Sequence, residues 1–251
     1  MTPTTVTELA VMGGDRFVAY NAWLSTGKHT QAYTCDEEAI RKVIYFLIRG
    51  ARRSKPSRRP HSSPFGHPQM SVLVEDIALY AAEQWLRHRT QNFSKDSFRY
   101  GQLVDGDAPI LDISSLVYLP AREDVRTQVG YPGDYTFPRL LDTDPEAVDK
   151  GLAIAHELSL QSLHAYREML RLGWAPELAR GYLPTATFTT FTATASLRNW
   201  LNFLGLRATE PELESQAQLE IREPADKVEQ LIATHFPITY EMWNILDRPT
   251  L

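Results

Sequence analysis

The chain has 251 residues, 43% of them hydrophobic, and 26 Lys and Arg against 31 Asp and Glu give a net charge of -5. That apolar share is enough for a sizeable core, and the acidic balance argues against a general nucleic-acid partner while leaving room for local phosphate pockets. A single cysteine, Cys35, excludes an intramolecular disulfide and a cysteine-rich metal centre.

In chain order, Thr34 and Glu37 have the spacing of a capping box, and Ile40, Val43, Ile44, Leu47 and Ile48 follow at helical period. A helix over about residues 35–50 is expected, with Cys35 at its start as a structural residue. The basic, proline-broken run Ala51–Pro60 reads as an exposed loop, or as a contact for a phosphate or a folate tail. Ser63-Pro64-Phe65 leads into a strand at Met70–Glu75. Ile77–Leu86 reads as a helix that delivers Arg87, His88 and Arg89, and Phe93–Gly101 as a loop. Asp144-Pro145 opens a long helix ending at Gly173. Thr185–Thr194 alternates Thr and Phe as a strand does. Helices are expected at Ser196–Leu204 and at Glu210–Thr234, the latter kinked or split by Pro224. No Gly-x-Gly-x-x-Gly follows a strand, so a nucleotide-binding fold of that type is not indicated. No apolar run reaches the ~18 residues of a membrane span, and no basic-then-apolar leader opens the chain. A cytoplasmic protein without a membrane partner is the expectation.

The segment Arg87–Tyr100 carries the first sign of chemistry. Three adjacent cationic or titratable side chains, then a polar stretch and Arg99, suit a grip on phosphates and ring carbonyls, because guanidinium presents five donors in a rigid fork. A solvated helix end is the plain alternative. Downstream stand Ala179-Arg180-x-x-Leu183-Pro184, then Ser196-Leu-Arg198 through Phe203-Leu204-x-Leu206-Arg207, then Ser215-x-Ala217-Gln218-x-Glu220-Ile221. In this order the blocks resemble the flavin-dependent thymidylate synthase family, over roughly Ser62 to Phe236.

The resemblance implies a single domain over residues 1–251 with an α/β (α+β) fold, a central sheet with long helices, and a homotetramer whose FAD sites lie between subunits. It implies reductive methylation at C5 of a uridylate, with methylenetetrahydrofolate as carbon donor and FAD reduced by NADPH. Gln84, Arg87, Ser97, Arg99, Arg180 and Arg207 match nucleotide-binding positions. Arg207 matches the arginine that polarises the pyrimidine. His61, Ser63, Arg87, His88, Arg89, Arg198 and Asn202 match flavin contacts, Ser63 standing where the family usually has Thr. His67 falls nearby and is taken as structural. No metal is implied.

Departures from the family pattern cluster in one loop. Asn92 replaces Ser, Ser94 replaces Asn and Lys95 replaces Glu, while Ser196 stands in place of Asn. The phosphate grips survive these changes and the middle of the pocket does not. Some relatives in nucleoside-antibiotic pathways methylate UMP as well as dUMP, and with its altered loop this chain looks like such a member. The alternatives are a dUMP-only synthase, a non-catalytic flavin- or nucleotide-binding paralogue, and a flavin oxidoreductase that consumes NADPH without transferring carbon.

Overall fold

A computed structural model of the protein describes residues 4–50, 60–99, 103, 110, 112–126, 138–208 and 217–251. Most of the expected basic loop (51–59), Tyr100 and Gly101, and Ser215 and Gln216 with the start of the last expected helix lie outside the described residues. The elements are β1 (Thr5–Met12), α1 (Asp15–Leu24), α2 (Glu37–Arg49), β2 (Gln69–Ala78), α3 (Leu79–Leu86), β3 (Asn92–Lys95), α4 (Pro145–Arg171), α5 (Pro176–Ala179), β4 (Phe188–Ser196), α6 (Leu197–Arg207), α7 (Leu219–His235) and α8 (Pro237–Ile245). The strands form one four-stranded sheet in the order β1-β2-β4-β3, so helix and sheet are mixed as expected.

The chain forms two compact units. One takes Glu75–Glu83 and Lys95–Thr190 with the first residues of the chain; the other takes Thr5–Val74, Gln84–Ser94 and Phe191–Leu251. They are called the first and second unit below.

In the first unit, α4 starts where the sequence indicates. Asp144 caps it, its carboxylate accepting from the Ala147 N–H at 3.0 Å, and Pro145 occupies the first turn, where a missing N–H costs nothing. Gly173, at φ 87°, lets the chain leave the helix in the left-handed region. Leu163 of α4 packs with Ile110, Ile113 and Val117 in a small core. The backbone N–H groups of Leu79 and Tyr80 donate to Thr187 and Thr185, tying α3 to the run that enters β4.

In the second unit, α2 begins later than the sequence suggests. Asp36, not Thr34, caps it by accepting from the Ala39 N–H at 2.9 Å, and the Thr34 hydroxyl donates to the Gln31 carbonyl instead. Cys35 therefore precedes the helix. Asp15, at the start of α1, is buried and accepts from the N–H groups of Ile238 and Thr239 at 2.8 and 2.9 Å and from the Thr239 hydroxyl at 2.6 Å, which caps α8. Burial pushes its pKa up and these donors pull it back. Around Trp85 the aromatics interlock. Its ring stacks on Phe203 at 4.5 Å and meets Phe191 and Trp200 edge-on. Trp200 Nε1 donates to the Met70 carbonyl at 3.0 Å. This cluster pins the end of α3 and the length of α6, the two stretches that carry the cationic motifs.

Three local expectations change. β2 continues through Asp76, at φ 56°, to Ala78, so α3 starts at Leu79 rather than Ile77. The first part of the expected loop at Phe93 is strand β3, paired with β4. α7 runs unbroken through the buried Pro224.

Candidate active site

The second unit gathers one group of the candidate residues. Arg207 is the last residue of α6, and its Nε–H donates to His88 Nε2 at 3.1 Å. His88 follows α3, and its ring meets the edge of Phe203 at 4.9 Å. Phe203 and Arg207 lie one turn apart on α6, so the helix presents an aromatic wall and a guanidinium on neighbouring positions. Burial, then the Arg207 charge, lowers the His88 pKa to about 4. The imidazole is thus neutral near pH 7, and because Nε2 accepts, its proton sits on Nδ1. Burial and the nearby Arg87 lower the Arg207 pKa as well, which marks a cation held where cations are costly. No ion pair joins Arg87, Arg89, Arg198 or Arg207 to a described carboxylate.

Around this pair the other second-unit candidates are placed one by one. Arg87 and Arg89 are exposed. Gln84 Nε2 donates to Gln218 Oε1, tying the end of α3 to the residue that precedes α7. Arg198 and Asn202 share a face of α6. The Asn202 amide is already engaged at both ends, donating to the Leu251 carbonyl at 3.0 Å and accepting from the Leu251 N–H at 2.8 Å. His61 is exposed with its ring stacked on Phe46, and Ser63 opens a 3-10 turn, Ser63–Gly66, that packs on α6. His67 is exposed at the end of that turn.

Ser97, Arg99 and Arg180 belong to the first unit. Ser97 Oγ accepts from the Arg99 N–H at 3.3 Å and lies 3.5 Å from Arg180 Nη1, so two arginines flank one hydroxyl. Arg99 also pairs with Glu177 of α5 at 2.9 Å. Lys95, the departure from the family Glu, has Nζ 3.6 Å from Asp96 Oδ1 and 5.9 Å from the Phe98 ring centroid. Asp96 in turn accepts from the Thr189 hydroxyl.

Three participants went unread in the sequence. Gln218 lies within the block Ser215-x-Ala217-Gln218-x-Glu220-Ile221 without a role that the resemblance implies. Gln91 is buried beside the motif, its Oε1 accepting from Trp85 Nε1 at 3.0 Å while its Nε2 has no partner among the described residues. Asn199 Nδ2 donates to the Thr90 carbonyl at 2.7 Å and so ties α6 to the turn after Arg89. A polar residue two places past a cationic triplet is the available sequence sign for Gln91; nothing marks the long-range partners.

Residues 9–238 match the family described as thymidylate synthase complementing protein, Thy1. The chain belongs to this family. Among curated relatives it is 30% identical over 217 residues to the flavin-dependent thymidylate synthase of Streptomyces avermitilis, covering 85% of this chain and 78% of that protein. It is 27% identical over 250 residues to that of Tropheryma whipplei (strain TW08/27), covering 96% and 94%. Among solved structures it is similar to the UMP/dUMP methylase PolB from Streptomyces cacaoi bound with 5-Br UMP. The TM-score there is 0.80 with 27% identity, and 100% of this chain and 98% of that chain are covered. The same methylase bound with 5-Br dUMP gives a TM-score of 0.79 and 29% identity. The chain is accordingly a methyltransferase and flavoprotein of the flavin-dependent thymidylate synthase type. No helix among the described residues is long and apolar enough to cross a membrane.

Proposed function

We propose that the protein methylates C5 of a uridylate, taking UMP as well as dUMP, with methylenetetrahydrofolate as carbon donor and FAD reduced by NADPH. The observation that carries this is the likeness, over the whole chain, to a UMP/dUMP methylase at 27% identity. We further propose a homotetramer with active sites at subunit interfaces, as the family resemblance implies.

The residues present fit a flavin. Arg87, Arg89, Arg198 and Arg207 lack described carboxylate partners, and Gln91 Nε2 is a buried donor without one. A set rich in donors and poor in acceptors suits a pyrophosphate and electron-poor ring carbonyls. His61, Ser63, Arg87, His88, Arg89 and Arg198 would hold the cofactor, and Asn202 would join them on exchanging its bonds to Leu251. When reduced, the flavin supplies the hydride that the transferred carbon needs to become a methyl group.

The chain's own work lies in activating the pyrimidine. C5 is a weak nucleophile until negative charge builds on the ring. A guanidinium ~4 Å from that charge contributes about 1 kcal/mol in water and roughly 4 kcal/mol in a half-buried setting. The larger figure corresponds to about three pKa units on a weak imide acid. Arg207, half-buried and without a described carboxylate, has the setting in which the larger figure applies. Ser97, Arg99 and Arg180 offer charge-assisted donors for the nucleotide phosphate, with Gln84 and Arg87 as further contacts. Ser94, smaller than the family Asn, leaves room for a 2′-hydroxyl.

Incubation of the purified protein with FAD, NADPH, methylenetetrahydrofolate and either UMP or dUMP tests this by mass spectrometry. A methyl group on the base of both nucleotides, absent when folate is left out, is the expected result. Product from dUMP alone would refute the wider substrate range, and no product from either would refute the methylase.

A further inference from the structure

Arginines that must hold one orientation are commonly held by a carboxylate. Such a partner would cancel the positive charge that a developing pyrimidine anion needs. Arg207 is held differently: its Nε–H donates to His88 Nε2 at 3.1 Å, and an imidazole accepting there is uncharged. The imidazole is itself seated. It lies edge-to-face with Phe203 at 4.9 Å, Phe203 stacks on Trp85 at 4.5 Å, and the His88 N–H donates to the Trp85 carbonyl at 3.0 Å. The charged groups acting on this pair, among the described residues, are each other and Arg87, and no described carboxylate is paired with any of them.

We propose that His88 is the positioning residue for Arg207, a neutral acceptor that holds the guanidinium by Nε and leaves its two amino groups and its full charge for the pyrimidine. Naming the pyrimidine rests on the function proposed above; the His88–Arg207 couple does not. Arginine has a long, rotamer-rich side chain, so an acceptor that fixes it before binding spares part of the ordering cost when the nucleotide arrives. The arrangement also has an acid limit. A proton on Nε2 removes the acceptor and sets a third cation beside Arg207 and Arg87, so the guanidinium loses its anchor as pH falls well below the ordinary histidine range. The depressed His88 pKa, about 4, agrees with a ring kept neutral at working pH.

The test compares His88→Gln, whose amide oxygen reaches the place of Nε2 as a neutral acceptor that cannot take a proton, with His88→Phe, which keeps an aromatic ring and removes the acceptor. The dissociation constant of dUMP for the flavin-loaded protein is measured by calorimetry from about pH 7.5 down to about pH 4, where His88 is half protonated and the extra weakening reaches about twofold. The nucleotide phosphate titrates near ~6 in every sample, so only differences between variants count. Wild type should lose affinity at the acid end beyond that common change. His88→Phe should bind about tenfold or more weakly throughout, and His88→Gln should recover most of that loss and show no extra acid weakening. Equal binding by His88→Phe and wild type, or the same acid weakening in His88→Gln, would overturn the proposal. Histidine-selective nitrogen NMR tests the couple without nucleotide. It should show an Nδ1–H imidazole at residue 88 titrating far below ~6.5, and moving toward that value in Arg207→Gln. An Nε2–H imidazole would overturn the couple. A wild-type protein that binds neither dUMP nor UMP near neutral pH would overturn the function and the pyrimidine as ligand, leaving the NMR result to decide the couple.

Discussion

Arg207 and Arg99 are both arginines proposed to meet the nucleotide, yet their surroundings differ in kind. Arg207, in the second unit, is half-buried, bonded to a neutral imidazole and paired with no described carboxylate. Arg99, in the first unit, is exposed and already paired with Glu177, beside Ser97 and Arg180. The charge of Arg207 is kept uncompensated at a cost that burial sets; that of Arg99 is solvated and shared. The difference matches two tasks. Stabilising charge that develops during a reaction requires a field that water and counter-ions do not quench. Gripping a phosphate requires only donors in the right number, and an exposed pair that exchanges easily will serve.

The largest expected effect follows from the first task. Arg207→Gln should lower kcat/KM by about a thousandfold, the rate equivalent of ~4 kcal/mol. Arg207→Lys should fall in between, because an ammonium keeps the charge but not the fork. Unchanged flavin absorbance would confirm that the variants are loaded. Loss of less than tenfold in Arg207→Gln would break the distinction between the two arginines. Next in size, Phe203→Ala should cost about 3 kcal/mol in urea unfolding, since it opens a cavity against Trp85 and unseats His88. In the first unit, Arg180→Ala should raise KM about tenfold with kcat nearly intact, the mark of binding felt equally by ground and transition states. The smallest effect belongs to Glu177→Ala. Removing a competing exposed carboxylate should tighten nucleotide binding by about twofold at low salt and by nothing measurable at high salt.

What the sequence reveals follows the same division between local and distant causes. α4 is legible from Asp144-Pro145 to Gly173 because cap, proline and glycine act on their own neighbours. α6 is legible from Ser196 for the same reason: its hydroxyl accepts from the Asn199 N–H. The α2 cap lies two residues past Thr34 because Thr34 and Asp36 both fit the local pattern and the backbone chose the carboxylate. β1, α1 and α8 were not anticipated at all. Asp15 shows why: it caps α8 from more than two hundred residues away in sequence, and only the fold brings them together. The cationic motifs were legible by residue type and spacing, whereas the bonds Arg207 to His88, Gln84 to Gln218 and Asn202 to Leu251 depend on packing that no spacing encodes. Lys95 illustrates the mixed case. Its charge reversal was plain in the sequence, but its ties to Asp96 and Phe98 were not.

The most direct measurement is single-turnover release of tritium from C5-labelled UMP or dUMP by the flavin-reduced enzyme. Tritium should appear in water together with a methylated base, only when methylenetetrahydrofolate is present, and Arg207→Gln should slow both. Oxidation of the flavin with the C5 tritium retained would contradict it.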